Sequence, residues 1–304
     1  MTAERPDPQA VNTEAVKTGA VKTRAVKIRL SKTSRAIWFA RIALLIASAL
    51  MLLPLTYQIG LSFKAPNDIF SDILNPIPAR PTLENYAFVL ERLPMGLYLF
   101  NSLIFAGGAT LGQIALAIPA AFALSQQRFR GRGFALALVL LSMMVPFVVT
   151  YVPNYLTLAS WGLIGTLPGM ILPLLGNGYG VFLLRQHFAS FPVSILEAAR
   201  IDGASTLQTL AFVLVPANRA AITSLGVYLM IQSWNQFIWP MLVGSRPESY
   251  TLTVGVQRFA NGEGGSSWGP MMAAAVLASL PTVILYLMVR RGVLATFSDG
   301  AVKG

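Results

Sequence analysis

Cysteine is absent from the 304 residues, histidine occurs once, and only 12% of positions are charged, against about 25% in a soluble domain. No disulfide framework, thiolate metal site or cysteine nucleophile can be built. There is no GxxxxGK[ST] phosphate loop either, so the chain is not its own ATPase. Charge this sparse cannot cover a water-facing surface. The 55% of hydrophobic residues therefore need another solvent, and the chain reads as a membrane protein.

What is present is a series of apolar, nearly charge-free runs: Ile42 to Phe63, Leu97 to Leu124, Phe134 to Tyr155, Leu163 to Leu184, Ala220 to Val243 and Met271 to Val289. Each has the roughly 20 residues that carry a helix across ~30 Å of hydrocarbon. The expectation is an all-α membrane protein with six transmembrane helices. No charged residue occurs from Gly133 to Leu184, a stretch too long for one crossing, so a turn is expected there, marked by Pro153, Asn154, Trp161 and Gly162.

The basic residues sort by side. Eight lie in the amino tail, three in each of the segments after the second run (Arg128, Arg130, Arg132) and the fourth (Arg185, Arg200, Arg219), and three at the end (Arg290, Arg291, Lys303). The alternate loops hold only Lys64, Arg80, Arg92, Arg246 and Arg258. By the positive-inside rule both termini are cytoplasmic, as an even number of crossings requires. The net charge of +11 is thus topogenic and gives no reason to expect nucleic acid. Residues 1–36 repeat with a period of five, as in Ala15-Val16-Lys17-Thr18 and Ala20-Val21-Lys22-Thr23. They read as a disordered basic tail drawn to anionic membrane lipid, ahead of a membrane domain over 37–304.

The runs contain no Asp, Glu, His, Lys or Arg, and His187 lies just past the fourth. That argues against proton coupling, although sodium held by carbonyls and amides leaves an ion-coupled carrier as an alternative. No nucleophile sits beside a buried base, and no cofactor or metal motif is visible. Polar side chains in the runs include Gln58, Asn101, Gln113, Asn177, Gln232, Asn235 and Gln236, as interhelical hydrogen-bond partners or as pathway groups. Asn101, Gln232, Trp234, Asn235 and Gln236 are the pathway candidates, because amides beside the aromatic faces of Trp234, Phe237 and Trp239 suit a polyhydroxylated ligand.

Between the fourth and fifth runs the pattern is helix, turn, helix. Ser194-Ile195-Leu196-Glu197 and Ser205-Thr206-Leu207-Gln208 have the spacing of capping boxes, Pro192 suits a first turn, and Gly203 between them allows a positive φ. Such a pair of short helices either docks into a partner or is simply a capped surface loop. Glu197-Ala198-Ala199-Arg200-Ile201-Asp202-Gly203 followed by Val213-Leu214-Val215-Pro216 resembles the EAA loop of importer-type ATP-binding-cassette permeases, with Val213 and Val215 as its only, apolar, departures. Asn85-Tyr86, Asn101-Ser102-Leu103-Ile104, Arg128 to Arg132, Val145-Pro146, Trp234-Asn235 and the closing Gly300 to Gly304 are similar to the carbohydrate branch, the maltose-type second permease.

That resemblance implies a type I ABC importer (MetI-like) transmembrane fold and a transport subunit without enzymatic activity. It also implies a homologous second permease, two cytoplasmic ATPase subunits and an extracytoplasmic solute-binding protein as partners. The solute would be a sugar or oligosaccharide, or alternatively a polyol, glycerol phosphate or peptide. Glu197, Ala198, Ala199, Asp202 and Gly203 would form a coupling helix seated in the ATPase, Pro216 would orient the return to the membrane, and Lys303 and Gly304 would reach toward the ATPase interface. The coupling loop is expected over about 190–218.

Overall fold

The computed structural model describes residues 33–69, 75–262 and 267–301, so most of the basic tail lies outside it. Among the described residues every regular element is helical. The described residues up to Leu53 and those from Pro54 onward form two units. The first contains the leading part of α1 (Thr33–Ser62), whose side chains from Ile37 to Leu53 are all exposed and, apart from Arg41 and Ser48, apolar.

In the second unit the short α2 (Glu84–Arg92) precedes α3 (Met95–Gln126). Helices α1, from Ile37, and α3 are long and apolar enough to cross a membrane unbroken. Three further segments reach that length only as bent pairs. Helix α4 (Arg132–Met144) meets the segment containing α5 (Tyr151–Ser160) at 92°. The segment beginning with α6 (Leu167–Ile171) meets α7 (Gly178–Ala189) at 49°. After α8 (Val193–Ile201), α9 (Thr206–Gln208) and α10 (Val215–Ala217), a 79° corner leads into α11 (Arg219–Trp234). The chain closes with α12 (Ile238–Val243), α13 (Leu252–Asn261) and α14 (Trp268–Ala301).

The expected uninterrupted third helix from Phe134 to Tyr155 is therefore corrected. Pro146 supplies no N–H and pushes the preceding residue out of the helical region; Val145 sits at φ −84°, ψ 113° and the helix ends there. Pro153 and Asn154, expected in the turn, lie inside α5, and the turn falls at Gly162 and Gly165, both at positive φ. The fifth run is broken as well, since α11 stops at Trp234 and α12 starts at Ile238.

Helix α3 organises the second unit, packing chiefly on α7 and α11. Its buried Ala106, Ala109, Ala117 and Ala121 permit the close backbone approach that substitutes for hydrophobic driving force in lipid. At one end Trp239 is fully buried, donates its indole N–H to Met170 O at 2.9 Å, and lies 5.8 and 5.6 Å from the rings of Phe147 and Tyr151.

The Asn85-Tyr86 pair is a lock. Asn85 Nδ2 donates to Ser62 O (2.9 Å) and Lys64 O (2.7 Å), and the Tyr86 and Ser62 hydroxyls share a 2.7 Å hydrogen bond. A Cβ at Gly269 would stand 2.6 Å from Asn85 Oδ1. Gly269→Ala should destabilise the purified protein by about 1–3 kcal/mol in thermal unfolding through overpacking. Gly133→Ala, with nothing near its Cβ, should stay within about 0.5 kcal/mol.

Candidate functional site

Two features stand out on the second unit, a knob built from α8 to α10 and an uncharged cleft. In the knob, α8 ends in a left-handed cap. Gly203 has φ +84°, its N–H bonds Arg200 O (3.1 Å), and Ala204 N–H bonds Ala199 O (3.0 Å). This double closure satisfies the last carbonyls of the helix. Nothing lies within 4 Å of a Cβ at Gly203, so the need for glycine comes from the backbone alone. The Ser205 box forms, Ser205 N–H donating to Gln208 Oε1 (2.7 Å) and Gln208 N–H to Ser205 Oγ (3.3 Å). The Ser194 box does not: Pro192 is the N-cap, so α8 starts too early for Ser194 to cap it.

Glu197, Ala198, Asp202 and Gly203 are exposed and Ala199 is half-buried. In the same segment Ile201, Leu207 and Phe212 are 85%, 75% and 76% exposed, large apolar side chains available to a partner. Leu196 points the other way. It is 3% exposed, in a cluster with Phe122, Leu184, Phe188, Leu210 and Leu214. Beneath it, Gln126 Nε2 donates to Phe188 O (2.5 Å), while Arg132 and Arg185 donate to carbonyls at the end of α3, where cations suit the helix dipole.

A π-helical turn at Thr209–Leu214 precedes the exposed Pro216 in α10. A proline ring crowds the carbonyl four residues back in a regular helix. At the corner that follows, Asn218 N–H and Nδ2 both bond Leu214 O, at 3.1 and 2.8 Å. Lys303 and Gly304 lie outside the described residues.

The cleft, of about 680 Å³, is walled by α3, the α4–α5 bend, the α6–α7 break and α11. None of the residues lining it is charged. Gln113, Ser142, Thr150, Asn154, Asn177, Gln232 and Gln236 supply polar groups, and Tyr179 and Tyr228 bring their rings to 5.1 Å. That volume falls within the range of about 300–1,000 Å³ usual for small-molecule sites. Of the five expected pathway residues, Gln232 and Gln236 line it. Asn101 does not. It is buried and ties α3 to the segment before α13, donating to Glu248 O (2.8 Å) and Tyr250 O (3.0 Å). Trp234 is buried among Val89, Leu93 and Ala274, and Asn235 turns its amide back to Ile231 O at 3.0 Å. Tyr179, Tyr228, Thr150 and Asn154 were missed. For Tyr179, Thr150 and Asn154 the signal was position after helix breaks at Gly176-Asn177-Gly178 and Val145-Pro146; Tyr228, inside α11, carried none.

Helical bundles with interrupted spans around a polar cleft are the architecture of membrane transport proteins. Residues 113–293 match the family of binding-protein-dependent transport system inner membrane components, and the chain belongs to that family. It is 30% identical over 260 residues, 83% of its length and 92% of the relative's, to the sn-glycerol-3-phosphate transport system permease protein UgpE of Yersinia pestis. The corresponding protein of Brucella suis is 29% identical over 261 residues, 82% and 91% of the two chains. In fold it is similar to a chain in the crystal structure of a bacterial ABC transporter involved in the import of the acidic polysaccharide alginate, with TM-score 0.76 and 23% identity, covering 85% and 97% of the two chains. A second crystal structure, of the bacterial alginate ABC transporter in complex with alginate pentasaccharide-bound periplasmic protein, aligns at TM-score 0.62 and 18% identity, covering 86% and 98%.

The cap at Gly203 makes a local prediction. Gly203→Ala should cost about 1 kcal/mol or more from the positive φ, read as faster amide hydrogen exchange at Gly203 and Ala204. Gly203→Asn, which tolerates that region, should exchange more slowly than the alanine variant.

Proposed function

We propose that the chain is the second permease subunit of an ATP-driven importer for neutral sugars or oligosaccharides in the bacterial inner membrane. The observation that carries this is the continuity of cleft and knob. Helix α7 starts at the cleft with Gly178 and Tyr179 and ends under the knob at Phe188. Helix α11 leaves the knob's corner and reaches the cleft at Tyr228 and Gln232, about 20 Å along at 1.5 Å per residue. A force applied to the knob is delivered to both walls.

In this reading six spans cross the membrane, the bent pairs each counting once and α14 supplying the last, with both termini cytoplasmic. Residues 37–304 form the permease domain behind a basic tail over 1–36. Glu197, Ala198, Ala199, Asp202 and Gly203 dock into one of two cytoplasmic ATPases, Pro216 sets the return, and Lys303 and Gly304 reach the same interface. A homologous permease completes the pathway, and an extracytoplasmic protein delivers the solute. ATP-driven closure pulls the knob and exchanges inward-open for outward-open, which requires docking contacts that differ between the two states. The uncharged lining suits a neutral solute, where a phosphate or uronate would ask for a cation.

With its partners in proteoliposomes, the wild type should take up neutral sugar when ATP is enclosed and keep doing so after ionophores collapse the ion gradients. Gly203→Asp, which adds charge and strain at the docking face, should insert and assemble normally but lower uptake at least about tenfold, within the range of ordinary coupling free energies. Wild-type uptake in that variant contradicts the assignment.

A further inference from the structure

Gln113 lies near the middle of α3, the 19th of the 32 residues from Met95 to Gln126. Transport sites collect at that depth. Its side chain is 6% exposed yet lines the cleft, and Nε2 donates to Leu174 O at 2.8 Å. A peptide carbonyl can only accept, so this bond fixes which way the amide faces. The other end, Oε1, is buried with no donor, alone in that respect among the described side chains. Elsewhere in the same helices the amides are satisfied, Asn101 by two carbonyls and Asn177 by Gly180 N–H. Buried polar atoms are almost always paired, and this one stands beside the cleft with its acceptor capacity unspent.

We infer that Gln113 Oε1 accepts a hydrogen bond from a hydroxyl of the transported solute; this rests on the reading of the cleft as a sugar pathway. The chemistry is selective. A carbonyl oxygen takes an O–H or N–H donor, and it repels the anionic oxygens of a phosphate or carboxylate. The rings of Tyr179 and Tyr228 in the same cleft offer apolar faces for the C–H side of a pyranose. The ligand class is a neutral polyhydroxylated molecule, gripped in part by this subunit and not by its partner alone.

The test uses the whole transporter in proteoliposomes, with radiolabelled maltose, trehalose and sn-glycerol 3-phosphate as probes. Gln113→Met keeps the length and removes the acceptor together with the donor to Leu174 O. It should raise KM for the sugar carried about tenfold, the loss of one hydrogen bond, and a KM within twofold of wild type overturns the inference. If the wild type carries only the phosphate, the neutral-sugar reading falls, while the same KM comparison still judges Gln113 against the glycerol hydroxyls. A second variant is independent of which solute is carried. The chain has no cysteine, so Gln113→Cys places its sole thiol at this position. A water-soluble methanethiosulfonate should label it, and no labelling overturns the assignment even if Gln113→Met fails to assemble.

Discussion

A peptide group in hydrocarbon must find its hydrogen bond inside the protein, at a penalty of several kcal/mol otherwise, and three interruptions in these helices answer that constraint with side chains. Asn177 caps α7 by accepting from Gly180 N–H at 2.7 Å. Thr166 accepts from Gly169 N–H at the start of α6. Asn218 returns two bonds to Leu214 O at the corner into α11. Because the breaks are satisfied in this way, the chain can surround a polar cleft with interrupted helices and still remain in lipid. The cleft lies at the α4–α5 bend and the α6–α7 break, where straight helices would have left no room.

The second requirement is stiffness between knob and cleft. Leu196 anchors α8 in the cluster shared by α3, α7 and α11, and Gln126 ties the end of α3 to Phe188 O. An exposed knob on a soft stem would absorb the motion of whatever grips it. This one is exposed on its outer side and closely packed on its inner side. A π turn before Pro216 and the corner at Asn218 link the short helices to α11, and extra residues per turn in such a place are typical of functional segments.

Much of this was legible in the sequence, for physical reasons. Hydrocarbon tolerates so little charge that the apolar runs stand out, and Gly203 announces its cap because glycine adopts φ +84° without the steric cost a Cβ brings. The angles were not legible. Pro146 warns of an interruption, but a proline inside an apolar run reads the same whether the helix kinks or turns by 92°. Side-chain roles were also hidden. Asn101 and Gln113 are both amides on α3, and only three-dimensional neighbours separate the one spent on Glu248 O and Tyr250 O from the one with an oxygen to spare. Trp234 and Trp239, read as pathway aromatics, are buried packing.

The central claim is that this subunit is worked from the cytoplasm through the stretch from Glu197 to Gly203. Its most direct test is a single thiol at that stretch, Ala198→Cys in the otherwise cysteine-free chain, combined with a short bifunctional crosslinker and an impermeant maleimide on right-side-out vesicles. The account predicts a crosslink to the ATPase subunit whose yield changes when ATP is bound, and no labelling from outside. Labelling from the outer face, or a crosslink yield indifferent to nucleotide, would contradict it.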